Sequence, residues 1–334
     1  MSYSYLVTGC AGFIGFHTVQ QLLSQGKRVV GIDCMNAYYD PNLKESRLNI
    51  LKENKNFYFH QIDFSEYAHV KGVFDAHQEQ GFPLLKVIHL GAQAGVRYSL
   101  LEPFPYITSN INGFLSILEA CRYQKDFKHL VYASTSSVYG QNKESPFTED
   151  QRTDHPMSLY AATKKANEMM AQSYHHLYDL PVTGYRFFTV YGPWGRPDMS
   201  AFKFAHAIMK DEPIDVYNYG DMERDFTYID DTVEGILGGL ERSRRLSKGK
   251  ELSHPVYNLG NNKGEKLMDF IALIEEGLGK KAQKNMLPMQ PGDVPATTAG
   301  IDQAFNDFGY QPKTTIQEGL PKLLKWFKDF YYPS

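Results

Sequence analysis

Residues 5–15 read YLVTGCAGFIG, and this stretch decides the fold. It predicts an apolar strand up to Thr8, then glycines at every third position, then a helix that continues to Gln25. Glycines permit a tight turn and let a pyrophosphate approach the backbone N–H groups at the N-terminus of the helix. We therefore predict a dinucleotide-binding loop with contacts from Gly9, Gly12, Phe13, Ile14 and Gly15.

The next apolar stretch, residues 28–32, ends on Asp33, which lies 18 residues after Gly15. A carboxylate at this point can accept hydrogen bonds from the ribose hydroxyls of an adenosine. Cys34 and Met35 follow it, with no arginine to receive a 2′-phosphate. The pattern predicts NAD, in preference to NADP, as the cofactor.

Strands and helices continue to alternate along the chain. Further strands are predicted over residues 57–62, 84–90, 129–133 and 181–187, and helices over 107–123 and 160–177. This spacing predicts an α/β protein with a Rossmann-type, doubly wound parallel sheet that binds ligands at the carboxyl ends of its strands. We expect residues 1–188 to form this domain, joined by a few later segments, and residues 189–334 to form a smaller mixed region that completes a cleft.

Two strand ends supply further candidate contacts to the cofactor. Asp63 follows the third strand and could meet the adenine, although a helix N-cap is an equally good interpretation. After the fourth strand, small residues would let the cofactor pass close to the backbone. The expected contacts there are Leu90, Ala92 and Ala94.

The candidate catalytic groups are Tyr160 and Lys164, which are four residues apart and so share one face of a helix. A free phenol has a pKa near ~10, and a neighbouring ammonium or a cationic cofactor ring favours its ionised form. A run of hydroxyls ends the fifth strand and could bond the same reacting oxygen: Ser134, Thr135, Ser136 and Ser137. The Tyr-x-x-x-Lys pattern also occurs by chance on solvated helices, and the dinucleotide context makes the catalytic interpretation the stronger one.

Composition excludes several other classes of protein. The 334 residues are 42% hydrophobic and 22% charged, with a net charge of −3, so neither disorder nor nucleic-acid binding is indicated. Three cysteines without a CxxC pattern predict reduced thiols in a cytoplasmic protein. No apolar run suits a membrane span, and we expect no metal site, since His175-His176 has no partner at ligand spacing.

Five motifs together resemble those of extended short-chain dehydrogenases/reductases that act on nucleotide sugars. The motifs are the glycine loop, residues 134–140 (STSSVYG), the Tyr160–Lys164 pair, residues 186–193 (RFFTVYGP) and residues 224–231 (RDFTYIDD). Residues 94–99 (AGVRYS) and 192–199 (GPWGRPDM) most resemble bacterial UDP-glucuronate 4-epimerases. The resemblance covers nearly the whole chain.

The resemblance implies a mechanism. Tyr160 matches the base that removes the proton from the sugar 4-hydroxyl while C4 gives a hydride to NAD. Lys164 matches the lysine that lowers the pKa of that tyrosine and holds the nicotinamide ribose, and Thr135 matches the residue that bonds the 4-oxygen. Dehydratases of the superfamily carry carboxylates at the positions of both Ser136 and Ser137, and decarboxylases carry one at the position of Ser137, so 4-epimerisation is the expected reaction.

The resemblance also implies how the UDP-sugar is held. We expect Ser136, Ser137, Thr189 and Arg196 to grip a uronate carboxylate, although Arg196 could equally be a solvated loop residue. At the nucleotide end the expected contacts are Arg224 to the pyrophosphate, Val216 and Tyr217 to the uracil, and Asp293 to the ribose. Val216 and Tyr217 could equally be core residues, and Gln290 replaces an arginine usual in the family.

Three alternatives or additions remain open at this stage. The substrate could be a neutral or N-acetylated UDP-sugar, or the protein could be a non-catalytic NAD-binding sensor. Relatives dimerise through a four-helix bundle, so a homodimer formed by the helices that begin near Ile107 and Tyr160 is expected.

Overall fold

The computed structural model describes residues 3–242, 254–290 and 294–333, and its strands alternate with helical segments up to residue 187. The strands are, in chain order, β1 (Ser4–Thr8), β2 (Val29–Asp33), β3 (Phe57–Gln61), β4 (Leu84–His89), β5 (His129–Thr135), β6 (Val182–Phe187), β7 (Thr189–Tyr191), β8 (Ile214–Val216), β9 (Glu223–Tyr228), β10 (Val256–Leu259), β11 (Gly264–Lys266) and β12 (Lys284–Met286).

The α-helices are also given in chain order. They are α1 (Phe13–Ser24), α2 (Pro41–Lys52), α3 (Tyr67–Glu79), α4 (Phe104–Tyr106), α5 (Gly113–Tyr123), α6 (Leu159–Tyr178), α7 (Ser200–Met209), α8 (Ile229–Arg242), α9 (Leu267–Leu278), α10 (Asp302–Phe308) and α11 (Ile316–Tyr331). No helix within the described ranges has the length and apolar character needed to cross a membrane.

Seven strands form one parallel sheet in the order β10-β6-β5-β4-β1-β2-β3. This order confirms the predicted doubly wound α/β fold. Because the strands are parallel, their carboxyl ends meet at one edge, and the sheet order reverses beside β1, where such folds bind ligands.

Both faces of this sheet are buried, which explains why its strands are apolar throughout. Successive residues of a strand point to opposite faces. Tyr5 and Val7 accordingly pack into the cluster that contains α1 and α8, whereas Leu6 packs into the cluster that contains α3 and α5.

Part of the chain after β6 forms a smaller region with sheets of its own. Strands β7, β9 and β11 form a mixed three-stranded sheet, and β8 pairs with β12. Strand β10 instead pairs with β6 at the edge of the large sheet. The smaller region therefore stays joined to the large sheet and lies beside the carboxyl ends of its strands.

The predicted helix over 107–123 is confirmed, with one difference. It begins earlier, at α4, and passes through a π-helical turn, Ile107–Asn112, before α5. Such turns often occur at functional sites. Here the side chain of Asn110 bonds both the N–H and the carbonyl of Gln93, at 2.8 and 3.0 Å, and also Thr163 of α6. The turn thereby ties the loop after β4 to α6.

Candidate active site

A cavity of about 960 Å³ opens at the carboxyl edge of the large sheet and continues into the smaller region. It is lined by every predicted cofactor contact except Asp63, and it includes Tyr160, Lys164 and Thr135. Most of the predicted sugar and nucleotide contacts also line it: Ser136, Ser137, Thr189, Arg196, Tyr217 and Arg224. Asp293 lies outside the described residues.

The glycine loop has no room for side chains at its two ends. Gly9 has a φ of 69°, and a Cβ there would lie 2.8 Å from the nitrogen of Gly91. A Cβ on Gly15 would lie 2.1 Å from the carbonyl oxygen of Gly9. The N-cap residue of α1 is Gly12, which has no side chain to cap the helix, and residues 12–15 line the cavity, an arrangement that suits an anion.

Asp33 at the end of β2 is held in place by the backbone. Its two carboxylate oxygens accept hydrogen bonds from the N–H groups of Ala11 (3.2 Å) and Met35 (2.9 Å). Lys44 of α2 also approaches it, with 3.9 Å between the ammonium and Oδ1, and donates to both oxygens of Asn36. Sequence reasoning missed Lys44 because no motif marks this position on α2.

Asp63 closes a turn before α3 and does not cap that helix. Its Oδ1 accepts a hydrogen bond from the N–H of Ser65 at 2.9 Å, which closes a local turn, and the cap of α3 is Glu66. The helix N-cap interpretation of Asp63 is therefore wrong, because the N-cap of α3 lies three residues later. A contact from Asp63 to the adenine stays a prediction, and this residue does not line the cavity.

Tyr160 lies in the first turn of α6, which begins where the hydroxyl of Ser158 accepts a hydrogen bond from the N–H of Ala161. One turn later, the ammonium of Lys164 donates to the carbonyl oxygen of Ala133 at 2.9 Å. Both residues reach the cavity from the same helix face, as their spacing predicts.

Burial shifts the pKa values of both Tyr160 and Lys164. Burial raises the pKa of Tyr160, and the hydrogen bond from Thr135 and the charge of Arg196 oppose this shift. Burial also lowers the pKa of Lys164 to about 7. The role of Lys164 in lowering the pKa of Tyr160 stays a prediction, and desolvation of Lys164 acts against its charged form.

The four hydroxyls at the end of β5 do not act alike. Ser134 donates its hydrogen to Glu168 Oε1 at 2.7 Å, so this hydroxyl serves a buried carboxylate. Thr135 Oγ1 accepts from the N–H of Ser137 at 3.2 Å and caps the short helical turn over 136–139. All four hydroxyl residues line the cavity with Tyr160, and a contact from Ser134 to the cofactor stays a prediction.

A buried ion pair supports the helix that carries Tyr160. Arg186 of β6 donates through Nε and Nη2 to the two carboxylate oxygens of Glu168, both at 2.9 Å. The Arg186 side chain also donates to the phenol of Tyr139, at 3.0 Å. The sequence motif around Arg186 indicated a resemblance but did not show this link between α6 and β6.

Arg196 is not a solvated loop residue. Its guanidinium pairs with the Asp198 carboxylate, with 3.0 Å between Nε and Oδ1, and Tyr38 donates to the same carboxylate at 3.3 Å. Side-chain exposure is 22% for Arg196. The arginine therefore reaches the cavity with a fixed partner beside it.

The nucleotide end is partly as expected. Tyr217 lines the cavity beneath the guanidinium of Arg97, which lies 4.9 Å from the ring centre. Arg224 Nη1 donates to the carbonyl oxygens of Glu223 and Pro295. Val216 is fully buried and does not line the cavity, so the core interpretation describes its side chain.

His89 and the three cysteines are other residues that could bind a metal or react. His89 is buried at the end of β4, where Nδ1 lies 2.8 Å from the hydroxyl of Thr8, and burial lowers its pKa to about 3. Cys10, Cys34 and Cys121 are free thiols. Among the described residues, no group of three or more His, Cys, Asp or Glu side chains is arranged to hold a metal ion.

The fold and the cavity define an α/β enzyme scaffold that brings a dinucleotide site and a Tyr-Lys-Thr cluster together. The chain belongs to the GDP-mannose 4,6 dehydratase family, whose family model matches residues 6–323, and so to the extended short-chain dehydrogenases/reductases.

Individual relatives are similar over nearly the whole chain. Protein CapI of Staphylococcus aureus is 49% identical, with 98% of each chain covered. A probable UDP-glucuronate 4-epimerase of Rhizobium meliloti is 45% identical, covering 98% of this chain and 97% of that one. The crystal structure of UDP-glucuronic acid 4-epimerase from Bacillus cereus, in complex with UDP-glucuronic acid and NAD, has a TM-score of 0.87 and 34% identity. That comparison covers 98% of this chain and all of the other.

Proposed function

We propose that this protein is a UDP-glucuronate 4-epimerase, which interconverts UDP-glucuronate and UDP-galacturonate through a 4-keto intermediate. The observation that carries the proposal is the composition of the cavity beyond Tyr160. Hydroxyls at Thr135, Ser136 and Ser137 and the cation of Arg196 line it together. The names of the Rhizobium meliloti relative and of the Bacillus cereus structure described above support the same activity.

The lining residues fit NAD. The uncapped start of α1 suits the pyrophosphate, Asp33 suits the adenosine ribose, and the glycine loop excludes side chains from the path between them. NAD supplies a ring carbon that accepts a hydride from C4 of the sugar and later returns it. We assign residues 1–188, with β10, to holding NAD and residues 189–334 to holding the UDP-sugar.

Tyr160 is the proposed base for the sugar 4-hydroxyl. The Thr135 hydroxyl and the charge of Arg196 both lower the pKa of this phenol, so two groups favour the ionised form against the effect of burial. The positive charge of the cofactor ring favours the phenolate further. Tyr160 takes the proton as the hydride leaves C4, and it returns the proton when the hydride comes back to the opposite face. The cofactor is unchanged after each turnover.

The proposed role of the Ser136, Ser137, Thr189 and Arg196 side chains is to hold the uronate carboxylate. A ketone at C4 is β to that carboxylate, and such acids lose CO₂ readily when the breaking bond aligns with the carbonyl π system. A carboxylate gripped by hydroxyls and a guanidinium can be kept out of that alignment. The absence of a carboxylate at 136 and 137 avoids repulsion and removes the acid–base group that a dehydratase needs.

A neutral UDP-sugar is the second candidate substrate. The same Tyr-Lys-Thr cluster would serve it, and the Arg196–Asp198 pair would then be a structural contact only. Arg196 favours the uronate, because it lines the cavity and the sugar ring of UDP-glucose has no carboxylate for a guanidinium to bind.

Purified protein incubated with UDP-glucuronate and without added NAD tests the proposal. UDP-galacturonate at equilibrium with its substrate is the expected product. A UDP-pentose would mean decarboxylation and contradict the carboxylate grip. Turnover of UDP-glucose with a higher kcat/KM than that of UDP-glucuronate would favour the neutral substrate.

We further infer a homodimer formed by α5 and α6, which pack on each other. Large apolar side chains on these helices stay exposed in one chain: Leu115, Tyr123, Met169, Leu177 and Tyr178. Two copies packed as a four-helix bundle would cover them. A cytoplasmic location stays a prediction.

A further inference from the structure

Arg47 of α2 is the largest side chain that is completely buried, and it serves no role in the mechanism above. Among the described residues, it makes no ion pair with a carboxylate, although burying a charge without compensation is costly. Its Nε is buried without a hydrogen-bond partner. An arginine kept under these conditions points to a function for the other two nitrogens.

Those two nitrogens bond two different loops. Nη1 donates to the carbonyl oxygen of Ala11 at 2.8 Å and to the Tyr39 hydroxyl at 2.9 Å. Nη2 donates to the carbonyl oxygens of Trp194 and Gly195, at 2.6 and 3.0 Å. One planar guanidinium therefore spans the glycine loop and the segment over 193–196, which are far apart in the sequence.

Both contacts lie next to groups that act in the cavity. Ala11 stands between two glycines of the loop that faces the pyrophosphate. Trp194 and Gly195 directly precede Arg196. The position of the Arg196 backbone is thus set by the same side chain that holds the dinucleotide loop.

The same segment also contacts α1 and α11. His17 Nε2 donates to the carbonyl oxygen of Pro193 at 2.9 Å, and Trp194 packs on the Trp326 ring at 4.9 Å. Trp194 has a φ of 60°, a left-handed conformation that a non-glycine residue keeps only when its surroundings hold it. Because Nη2 donates a hydrogen bond to the carbonyl oxygen of Trp194, Arg47 stabilises this left-handed conformation directly.

We propose that Arg47 is a positioning residue for recognition of the sugar carboxylate: it fixes the 194–196 segment to the dinucleotide loop and so aims Arg196 at the carboxylate. This inference rests on the proposed function, since it assumes that Arg196 meets a uronate. Without Arg47, the two carbonyls lose their donor and the segment is free to shift. Arg196 then contacts the carboxylate in a smaller fraction of the protein molecules, which lowers the affinity for the uronate, while the uridine diphosphate subsite is unchanged.

The test compares two ligands that differ only in the carboxylate, UDP-glucuronate and UDP-xylose. Affinities are measured by calorimetry on the NAD-loaded protein in a Tyr160→Phe background, where no turnover intervenes. The ratio of the two affinities reports the carboxylate contact. In the parent background we expect UDP-glucuronate to bind at least about tenfold more tightly, the size of a hydrogen-bonded charge contact.

Arg47→Met and Arg196→Met are both expected to bring this ratio to near one, and the double variant to lower it no further, because the two residues act as one unit. Arg47→Lys is the variant that keeps a charge if Arg47→Met does not fold. A single ammonium cannot span both loops, so a lowered ratio is expected there too.

Two results would overturn the inference, and they are distinguishable. An unchanged ratio in Arg47→Met or Arg47→Lys, with only a lower Tm, would make Arg47 a structural residue and leave the proposed function intact. A ratio near one in the parent background would instead overturn carboxylate recognition itself, and the role of Arg47 with it.

Discussion

The ammonium of Lys164 lies 2.9 Å from the carbonyl oxygen of Ala133, which joins α6 to the end of β5 directly beside Tyr160. Helix and strand are separated by a long loop in the sequence, and this bond sets how the phenol meets the hydroxyl of Thr135. The chemistry of the cavity thus depends on contacts that tie α6 to the sheet.

Replacement of Tyr160 by Phe removes the group that exchanges a proton with the sugar. We expect kcat to fall by roughly 10²- to 10⁴-fold, the usual contribution of a general base. NAD binding and Tm should stay near their original values because the ring is kept. Tyr67→Phe, at the start of α3 and outside the cavity lining, is the control. Full activity in Tyr160→Phe would contradict the assignment.

The buried pair between Glu168 and Arg186 predicts a large effect on stability. Arg186→Met leaves the Glu168 carboxylate, 2% exposed, with only the less buried Lys165 as a cationic partner, and should lower the free energy of unfolding by about 3–5 kcal/mol. Urea denaturation measures this change. Lys313→Met breaks an exposed pair with Glu234 and should have no measurable effect. Equal effects of the two substitutions would show that the buried pair has no special role.

Asp33 and Lys44 together predict how cofactor choice can be changed. Asp33→Ser removes the charge that repels a 2′-phosphate and leaves the Lys44 ammonium beside that position. We expect NADP to bind at least about tenfold more tightly than to the original protein, as for a new charge-assisted bond. Titration with NAD and NADP measures both affinities. In Asp33→Ser/Lys44→Met the gain in NADP affinity should vanish. A gain that persists in this double variant would exclude Lys44 as the group that binds the 2′-phosphate.

His89 predicts a dependence of stability on pH. Burial lowers its pKa from 6.5 to about 3, so between these values the unfolded chain binds a proton that the folded chain does not. Stability contributed by the neutral ring is complete above pH 6.5 and is lost as the pH falls towards 3.

The substitution that tests this is His89→Asn, which keeps a partner for the Thr8 hydroxyl. Between pH 4 and 6 it should reduce the slope of unfolding free energy against pH by about 1.4 kcal/mol per unit. Denaturation at several pH values measures the slope. His176→Asn, on the exposed face of α6, should leave it unchanged, and an unchanged slope in His89→Asn would refute the argument.

The proposed dimer can be tested on its apolar surface. Leu115→Glu with Met169→Glu places charges on the exposed faces of α5 and α6 and should give a monomer in sedimentation experiments. Met268→Glu, at another exposed apolar position, on α9, is the control and should leave the dimer intact. A monomer before any substitution would exclude this dimer.

Local patterns explain which features could be predicted from the sequence. The glycine loop, Asp33 at the end of β2, and the Tyr160–Lys164 spacing depend on residues close together in the chain, and each lies where predicted. Asp63 and Val216 were ambiguous because a carboxylate after a strand and a valine in a strand suit several surroundings. Their contacts depend on neighbours that the local pattern does not specify.

By itself, the sequence determined the fold class, the cofactor loop and the candidate base, since periodicity and glycine spacing act over a few residues at a time. Only the tertiary structure decided that burial raises the pKa of Tyr160, that Glu168 pairs with Arg186, and that Arg47 joins the glycine loop to the segment before Arg196. Desolvation and hydrogen bonds between distant segments depend on what the folded chain places around a group. For that reason no local pattern contains them.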